Sequence, residues 1–230
     1  MDSCDYHLVL SRDIDATPRY LATGTAACMA ANRLSYFFDL SGPSLAVDTA
    51  CSSTMAALHQ AVCTLKSGDS SMALVCGAKH IFNPDMFMPS SELGFLSPSG
   101  RCRSFDAAGD GYGRGEGVLA LLLKPLKQAI ANRDPIRAVI KGTRLNQDGR
   151  TQGITLPSAL AQKQNMESLY RQIGLSPDDI HYVEAHVCLY FLFILEQYKS
   201  LNAHMLLGHR DGCRRPFGMF CHQCSVRTVP

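Results

Sequence analysis

The chain has 230 residues, 46% of them hydrophobic and 18% charged, with a formal net charge of +2. That is enough length for one sizeable domain or two small ones, and the balance is that of a globular protein, not a disordered or fibrous one. A charge so close to neutrality, with no arginine-rich or lysine-rich stripe, argues against nucleic acid as a partner.

The N-terminal stretch MDSCDYHLVLSRDID lacks a basic segment followed by an apolar run, so a cytoplasmic chain is expected, with its ten cysteines mostly free thiols. The first helix is expected over TAACMAANRLSYFF (25–38), where Ala27, Ala30, Leu34 and Phe37 recur at helical spacing and Gly42-Pro43 ends the element. LAVDTA (45–50) reads as a short buried strand. STMAALHQAVCTLKSG then places Met55, Leu58, Val62 and Leu65 on one helical face, with Ser52 or Ser53 as cap and Gly68 as stop.

MALVCGA (72–78) is a second apolar strand. GVLALLLKPL (117–126) and IRAVIKGTRL (136–145) are two more, the first followed by a short helix holding Ala129 and Ile130. Ahead of the first of these, DGYGRGEG (110–117) spells neither GxGxxG nor a phosphate-binding loop. Its glycines Gly111, Gly113, Gly115 and Gly117 are expected to make tight turns where backbones approach, with Arg114 and Glu116 as an ion pair. Asp106 and the NQDG segment (146–149) read as turn residues. A further helix opens at Pro157-Ser158, turns Met166, Leu169, Tyr170 and Ile173 inward, and closes at Gly174. DIHYVEAH (179–186) is the last strand. Near-continuous apolar strands between amphipathic helices imply an α/β architecture with a sheet covered on both faces.

After His186 the composition changes. Residues 1–186 hold 17 Lys+Arg and 18 Asp+Glu, a net −1, whereas 187–230 hold 5 and 2, a net +3, with four of the ten cysteines. VCLYFLFIL (187–195) is nine residues of apolar chain, short of the roughly 20 that span a bilayer, so no membrane span is expected. CHQC (221–224), with His209, Cys213 and His222 nearby, has one metal-type pair, but no second CxxC or HxxxH completes a ligand set. No metal site is expected.

Cys51 stands where the strand through Thr49 and Ala50 turns into a capped helix. A helix N-terminus offers free N–H groups and partial positive charge, which favour a thiolate and can hold an oxyanion. Strand, turn, nucleophile and helix is the plan of a nucleophile elbow. A free cysteine is equally a small buried hydrophobe, and the local pattern leaves both readings open. Cys28, Cys63 and Cys76 lie on apolar faces and are expected to pack.

GPSLAVDTACSSTMAALHQA (42–61) closely resembles the active-site stretch of β-ketoacyl synthase domains, those of fungal reducing, iterative polyketide synthases in particular. PRYLATGTAACMAANRLSYFFDLSGPS (18–44), FLSPSGRCRSFDAAGDGYGRGEG (95–117), LNQDGRTQGITLPS (145–158) and YVEAH (182–186) resemble further motifs of that family in the family's order. The resemblance implies a thiolase-like layered α/β fold, incomplete, over residues 1–186. It implies that Cys51 takes an acyl chain from the phosphopantetheine arm of an acyl carrier protein and condenses it with a malonyl-type thioester, no cofactor being bound. His186 matches the family's first catalytic histidine, the donor to the enolate formed on decarboxylation. His59, His80 and His181 have no such context and are expected to be structural or exposed. The intact domain is expected to be a homodimer.

The family continues after its first histidine with Gly-Thr-Gly-Thr, and later with a lysine motif, an Asn-x-Gly-His carrying the second catalytic histidine, and a glycine-rich turn. None is recognisable after His186; LLGHR (206–210) has Gly-His without the lysine and asparagine. The first strands of the family's N-terminal half would likewise precede Met1. Acyl loading without condensation is therefore one expectation, and the other is a non-catalytic piece that docks on a full-length synthase. The tail 187–230 reads as unrelated sequence, as a translated intron would be: Val187-Cys188 is encoded by GTN-TGY, compatible with a GTATGT-type splice donor.

Overall fold

The computed structural model describes residues 5–103, 106–182 and 184. They divide between two compact units, the described residues up to Leu96 with Arg114–Asp134, and those of 97–113 with the described residues from Pro135 on.

The first unit contains α1 (Asp5–Leu10), α2 (Leu21–Thr25), α3 (Cys28–Phe37), α4 (Ser53–Ser67), β1 (Ala73–Lys79), α5 (Phe87–Glu92), β2 (Gly117–Leu123) and α6 (Leu126–Ala131). The helix expected over 25–38 is broken: Ala26 is extended, with ψ of 131°, so α2 ends and α3 begins only at Cys28. The apolar stripe also differs, since Ala27, Ala30 and Phe37 are exposed while Met29, Ala31 and Leu34 are half-buried. In α4 the expectation holds. Leu58 is buried, Met55, Val62 and Leu65 are half-buried beside it, and Gly68 closes the helix at φ 85°, a conformation that glycine adopts without a Cβ penalty.

β1 and β2 pair antiparallel, from Ala73 opposite Leu123 to Lys79 opposite Gly117. The alternation of side chains puts Ala73, Val75 and Gly77 on the same face as Leu119, Leu121 and Leu123, and α4 packs on β1. A side chain on Gly77 would run into Thr54, in the first turn of α4, so glycine is what lets the helix start lie against the strand. The opposite face is open: Val118 and Leu122 are each 70% exposed. The expected sheet covered on both faces is thus corrected to an antiparallel pair covered on one, because among the described residues nothing packs on the second. LAVDTA (45–50) and IRAVIKGTRL (136–145) form no strand, having no ladder partner there to complete their backbone hydrogen bonds.

Buried Asp5 pins α1 to the end of β1: its carboxylate accepts the Phe82 N–H at 2.8 Å, and its carbonyl accepts the Asn83 side-chain amide at 3.0 Å. Arg12 pairs with Asp85 beside it. Glu116 accepts the Ile81 N–H at 2.7 Å and lies 4.0 Å from His80, while the Arg114 guanidinium sits 5.2 Å over the Phe87 ring.

The second unit is built on α7 (Ala159–Ile173). Ser158 caps it, its hydroxyl accepting the Ala161 N–H at 3.2 Å, and Gly174 closes it at φ 68°. Leu169 and Tyr170 are buried, and Met166 and Ile173 half-buried, on the expected face. The NQDG turn ties onto this helix as well. Asp148 accepts the Ser158 N–H at 2.9 Å, and Asn146 donates to the Ala161 carbonyl at 2.8 Å. Residues 177–179 form a 3-10 helix, so Asp179, expected to open the last strand, is helical, and among the described residues 180–182 form no strand; most of the remainder of the expected strand lies outside the described residues.

In the loop 97–113, Asp106 makes the expected turn by accepting the Ala108 N–H at 2.9 Å. Of the four glycines in DGYGRGEG, only two have a structural demand. Gly111 has φ 139°, and a side chain on Gly113 would overlap the Gly100 carbonyl oxygen; one on Gly115 or Gly117 would meet nothing within 4 Å. No described helix is long and apolar enough to cross a membrane.

Candidate active site around Cys51

Cys51 is half-buried at the head of α4, one residue before the N-cap Ser52. The expected side-chain cap is absent from both serines. The Ser52 hydroxyl instead donates to the Thr49 carbonyl at 2.9 Å and lies 2.7 Å from the Thr49 hydroxyl, and Ser52 is buried. The Ser53 hydroxyl accepts the Thr49 N–H at 2.9 Å and donates to the Ala50 carbonyl at 2.5 Å. On the other side, Asp48 accepts the Ala50 N–H at 3.0 Å.

These bonds enclose a strained residue. Ala50 has φ 57°, in the left-handed region that costs a residue with a Cβ roughly 1–2 kcal/mol. Strain of this kind immediately before a candidate nucleophile belongs to an elbow, where the turn must be sharp to present the side chain at the helix start.

The expected fall in the Cys51 pKa is overturned. Burial pushes the thiol up from its ordinary value, and the opposing effects, the backbone N–H groups of Cys51 and Ser52, do not offset it. The helix end acts in the expected direction, but desolvation of the thiolate is the larger effect. Alkylation of Cys51 by iodoacetamide should therefore gain rate with pH only above the range of a free model thiol. A site-resolved rate profile that rises at or below the model thiol would contradict this.

His186, the second expected catalytic residue, lies outside the described residues, as do the cysteines and histidines of the tail. His59 lies on α4 with its Nε2 3.6 Å from the Cys63 sulfur. Cys28, Cys63 and Cys76, expected to pack, are exposed, as is Cys102. The reason at Cys76 is the open face of the sheet, and at Cys28 the break before α3. Among the described residues no group of three metal-ligating side chains occurs. The sequence reading missed Asp48 and Ser53 as supports of the turn. An aspartate two residues before the left-handed position is a legible signal, since Asp side chains bond the backbone two residues on.

Family models match almost the whole described chain: β-ketoacyl synthase, N-terminal domain, over residues 4–129, and β-ketoacyl synthase, C-terminal domain, over 137–188. A polyketide synthase–nonribosomal peptide synthetase of Pyricularia oryzae is 52% identical over 186 residues, 79% of this chain and 5% of that protein. The lovastatin diketide synthase of Aspergillus terreus is 50% identical over 182 residues, again 79% of this chain and 7% of the relative. Among solved structures, an oxazolomycin ketosynthase domain of Streptomyces albus superposes with a TM-score of 0.73 at 38% identity, over 81% of this chain and 33% of that one. The ketosynthase from module 6 of the bacillaene synthase of Bacillus subtilis gives 0.67 at 42% identity, over 69% and 29%. The chain thus spans only a small part of its curated relatives and about a third of a solved ketosynthase.

Proposed function

The chain belongs to the β-ketoacyl synthase family and carries part of its thiolase-like fold, and on that premise we propose that Cys51 is an acyl-accepting nucleophile for carrier-bound thioesters. The observation that carries this reading is the strained Ala50 elbow, which sets Cys51 at the head of α4 with backbone N–H groups beside the sulfur. In the loading step the Cys51 sulfur attacks the thioester carbonyl, the carbon–sulfur bond to the phosphopantetheine arm breaks, and the departing thiol carries away the proton that Cys51 gave up. A thiolate suits both halves of the cycle, attacking well and leaving well. The Cys51 N–H is the donor for the oxyanion of the tetrahedral intermediate. Condensation, in which the malonyl-type unit loses carbon dioxide, His186 donates to the resulting enolate and the carbanion displaces Cys51 as thiolate from the acyl carbon, is assigned to the intact domain with its second histidine; loading is the step proposed for this chain. The acyl carrier protein is the partner, and a second copy of the intact domain completes a dimer.

The experiment is mass spectrometry of the chain after incubation with an acyl thioester of phosphopantetheine. A single acyl increment on the peptide holding Cys51 is expected. A folded chain left unmodified at Cys51 favours the second reading, a non-catalytic piece that docks on a full-length synthase. The observation for that alternative is the pair β1–β2, whose Val118 and Leu122 stand exposed on a face that no described residue covers.

Residues 1–186 are the proposed synthase portion and 187–230 an unrelated, intron-encoded tail. Genomic DNA should then continue in frame into Gly-Thr-Gly-Thr downstream of the His186 codon, with a splice junction directly after it. Transcripts that run unspliced through position 187 in every sample would remove this reading.

A further inference from the structure

We infer that Asp48 and Ser53 are positioning residues for Cys51, a carboxylate on one side and a hydroxyl on the other clamping Ala50 in its left-handed conformation. The inference deepens the reading of Cys51 as the reacting group and rests on it, but its test needs no acyl transfer.

The bonds divide the work. Ala50 has two backbone polar groups, and each is held by one of these side chains: its N–H by Asp48 at 3.0 Å, its carbonyl by Ser53 at 2.5 Å. Ser53 also accepts the Thr49 N–H at 2.9 Å, so one hydroxyl bridges the peptide units on both sides of the bend. Ser53 is the first residue of α4, where its own N–H is bonded to the Ala50 carbonyl at 3.1 Å. The clamp is therefore anchored to the helix, and the helix start is in turn seated on β1 through Thr54 over Gly77.

An alanine left unrestrained leaves φ 57° for the β or right-handed region. That rotates the peptide between Ala50 and Cys51, turning the Cys51 N–H and the direction of its side chain away from the helix head. A sulfur displaced in this way loses the N–H groups that favour its thiolate.

The test is the site-resolved alkylation rate of Cys51 in the full 230-residue chain, read by peptide mass mapping with iodoacetamide between neutral and alkaline pH. Cys63, on the same helix, is the internal reference for folding. Ser53→Ala should slow Cys51 by about fivefold, the worth of one hydrogen bond, and move its rate profile to higher pH with Cys63 unchanged. Ser53→Thr, which keeps the hydroxyl, should restore the rate. Adding Ala50→Gly to Ser53→Ala should also restore it, since glycine holds φ 57° without a clamp; a general packing role for Ser53 would not be rescued this way. Exposed Asp48→Ala should slow Cys51, and Asp48→Asn, which keeps an acceptor oxygen, should not; this pair decides the matter even where Ser53→Ala unfolds the helix. Wild-type Cys51 rates in both alanine variants would overturn the inference. Failure of acyl loading with the Ser53 and Asp48 effects intact would instead count against the proposed function alone.

Discussion

Cys51→Ala is expected to abolish the acyl adduct completely while leaving the chain folded. The second half follows from position: Cys51 precedes α4, and the bonds that close the turn run through Asp48, Thr49, Ala50, Ser52 and Ser53, none of them through the sulfur. The first half follows from chemistry, because no neighbouring hydroxyl replaces the thiol. An alkoxide at Ser52 or Ser53 would be both harder to form and a poorer leaving group. The readout must be resolved by site. Cys28, Cys63, Cys76 and Cys102 are exposed, and an activated thioester acylates exposed thiols without any catalytic site. Only an adduct that forms on Cys51, disappears in Cys51→Ala and leaves the other nine cysteines unchanged supports the proposed function. Equal labelling of Cys51 and the four exposed cysteines would mean that Cys51 is no more than one thiol among several.

Gly113→Ala is expected to destabilise the loop 97–113 by about 2–3 kcal/mol, the upper end of the cost of overpacking. The added carbon would overlap the Gly100 carbonyl oxygen, which is backbone and has no rotamer to escape into. The loop offers little room to shift. The Tyr112 carbonyl accepts the Ser97 N–H at 3.0 Å, the Cys102 sulfur accepts the Gly113 N–H at 3.3 Å, and Asp110 holds Ser97 at 2.7 Å and Arg103 at 3.5 Å. Gly115→Ala is the control, two residues on in the same motif with nothing within 4 Å, and should stay within about 0.5 kcal/mol of wild type. Limited proteolysis of the loop and urea unfolding distinguish them. Equal behaviour of the two variants would show that the Gly100 contact is not a constraint.

The two longest described helices were legible from periodicity and punctuation. In α4 and α7 the apolar spacing, the glycine stops at Gly68 and Gly174 and the cap at Ser158 are all local signals, set by residues within a turn or two of one another. The break at Ala26 escaped notice because alanine carries no breaking signal, and the 25–38 stretch read as one helix. The turn around Cys51 was legible in outline. Its restraints were not read, although Asp48 and Ser53 are ordinary turn-forming residues in the right places.

What the sequence by itself determined is the order of motifs, and with it the family, the helix faces, and Cys51 as the residue at the head of a helix. Those depend on residue identity and on short-range spacing. Only the tertiary structure decided that β1 and β2 run antiparallel and that, among the described residues, one face of the pair stays open and LAVDTA forms no strand, since a strand exists only through a partner distant in the chain. It also decided the direction of the Cys51 thiol. The helix-end effect that lowers the pKa is local and could be read from the sequence, whereas the desolvation that raises it comes from whatever packs around the sulfur, and here desolvation is the larger.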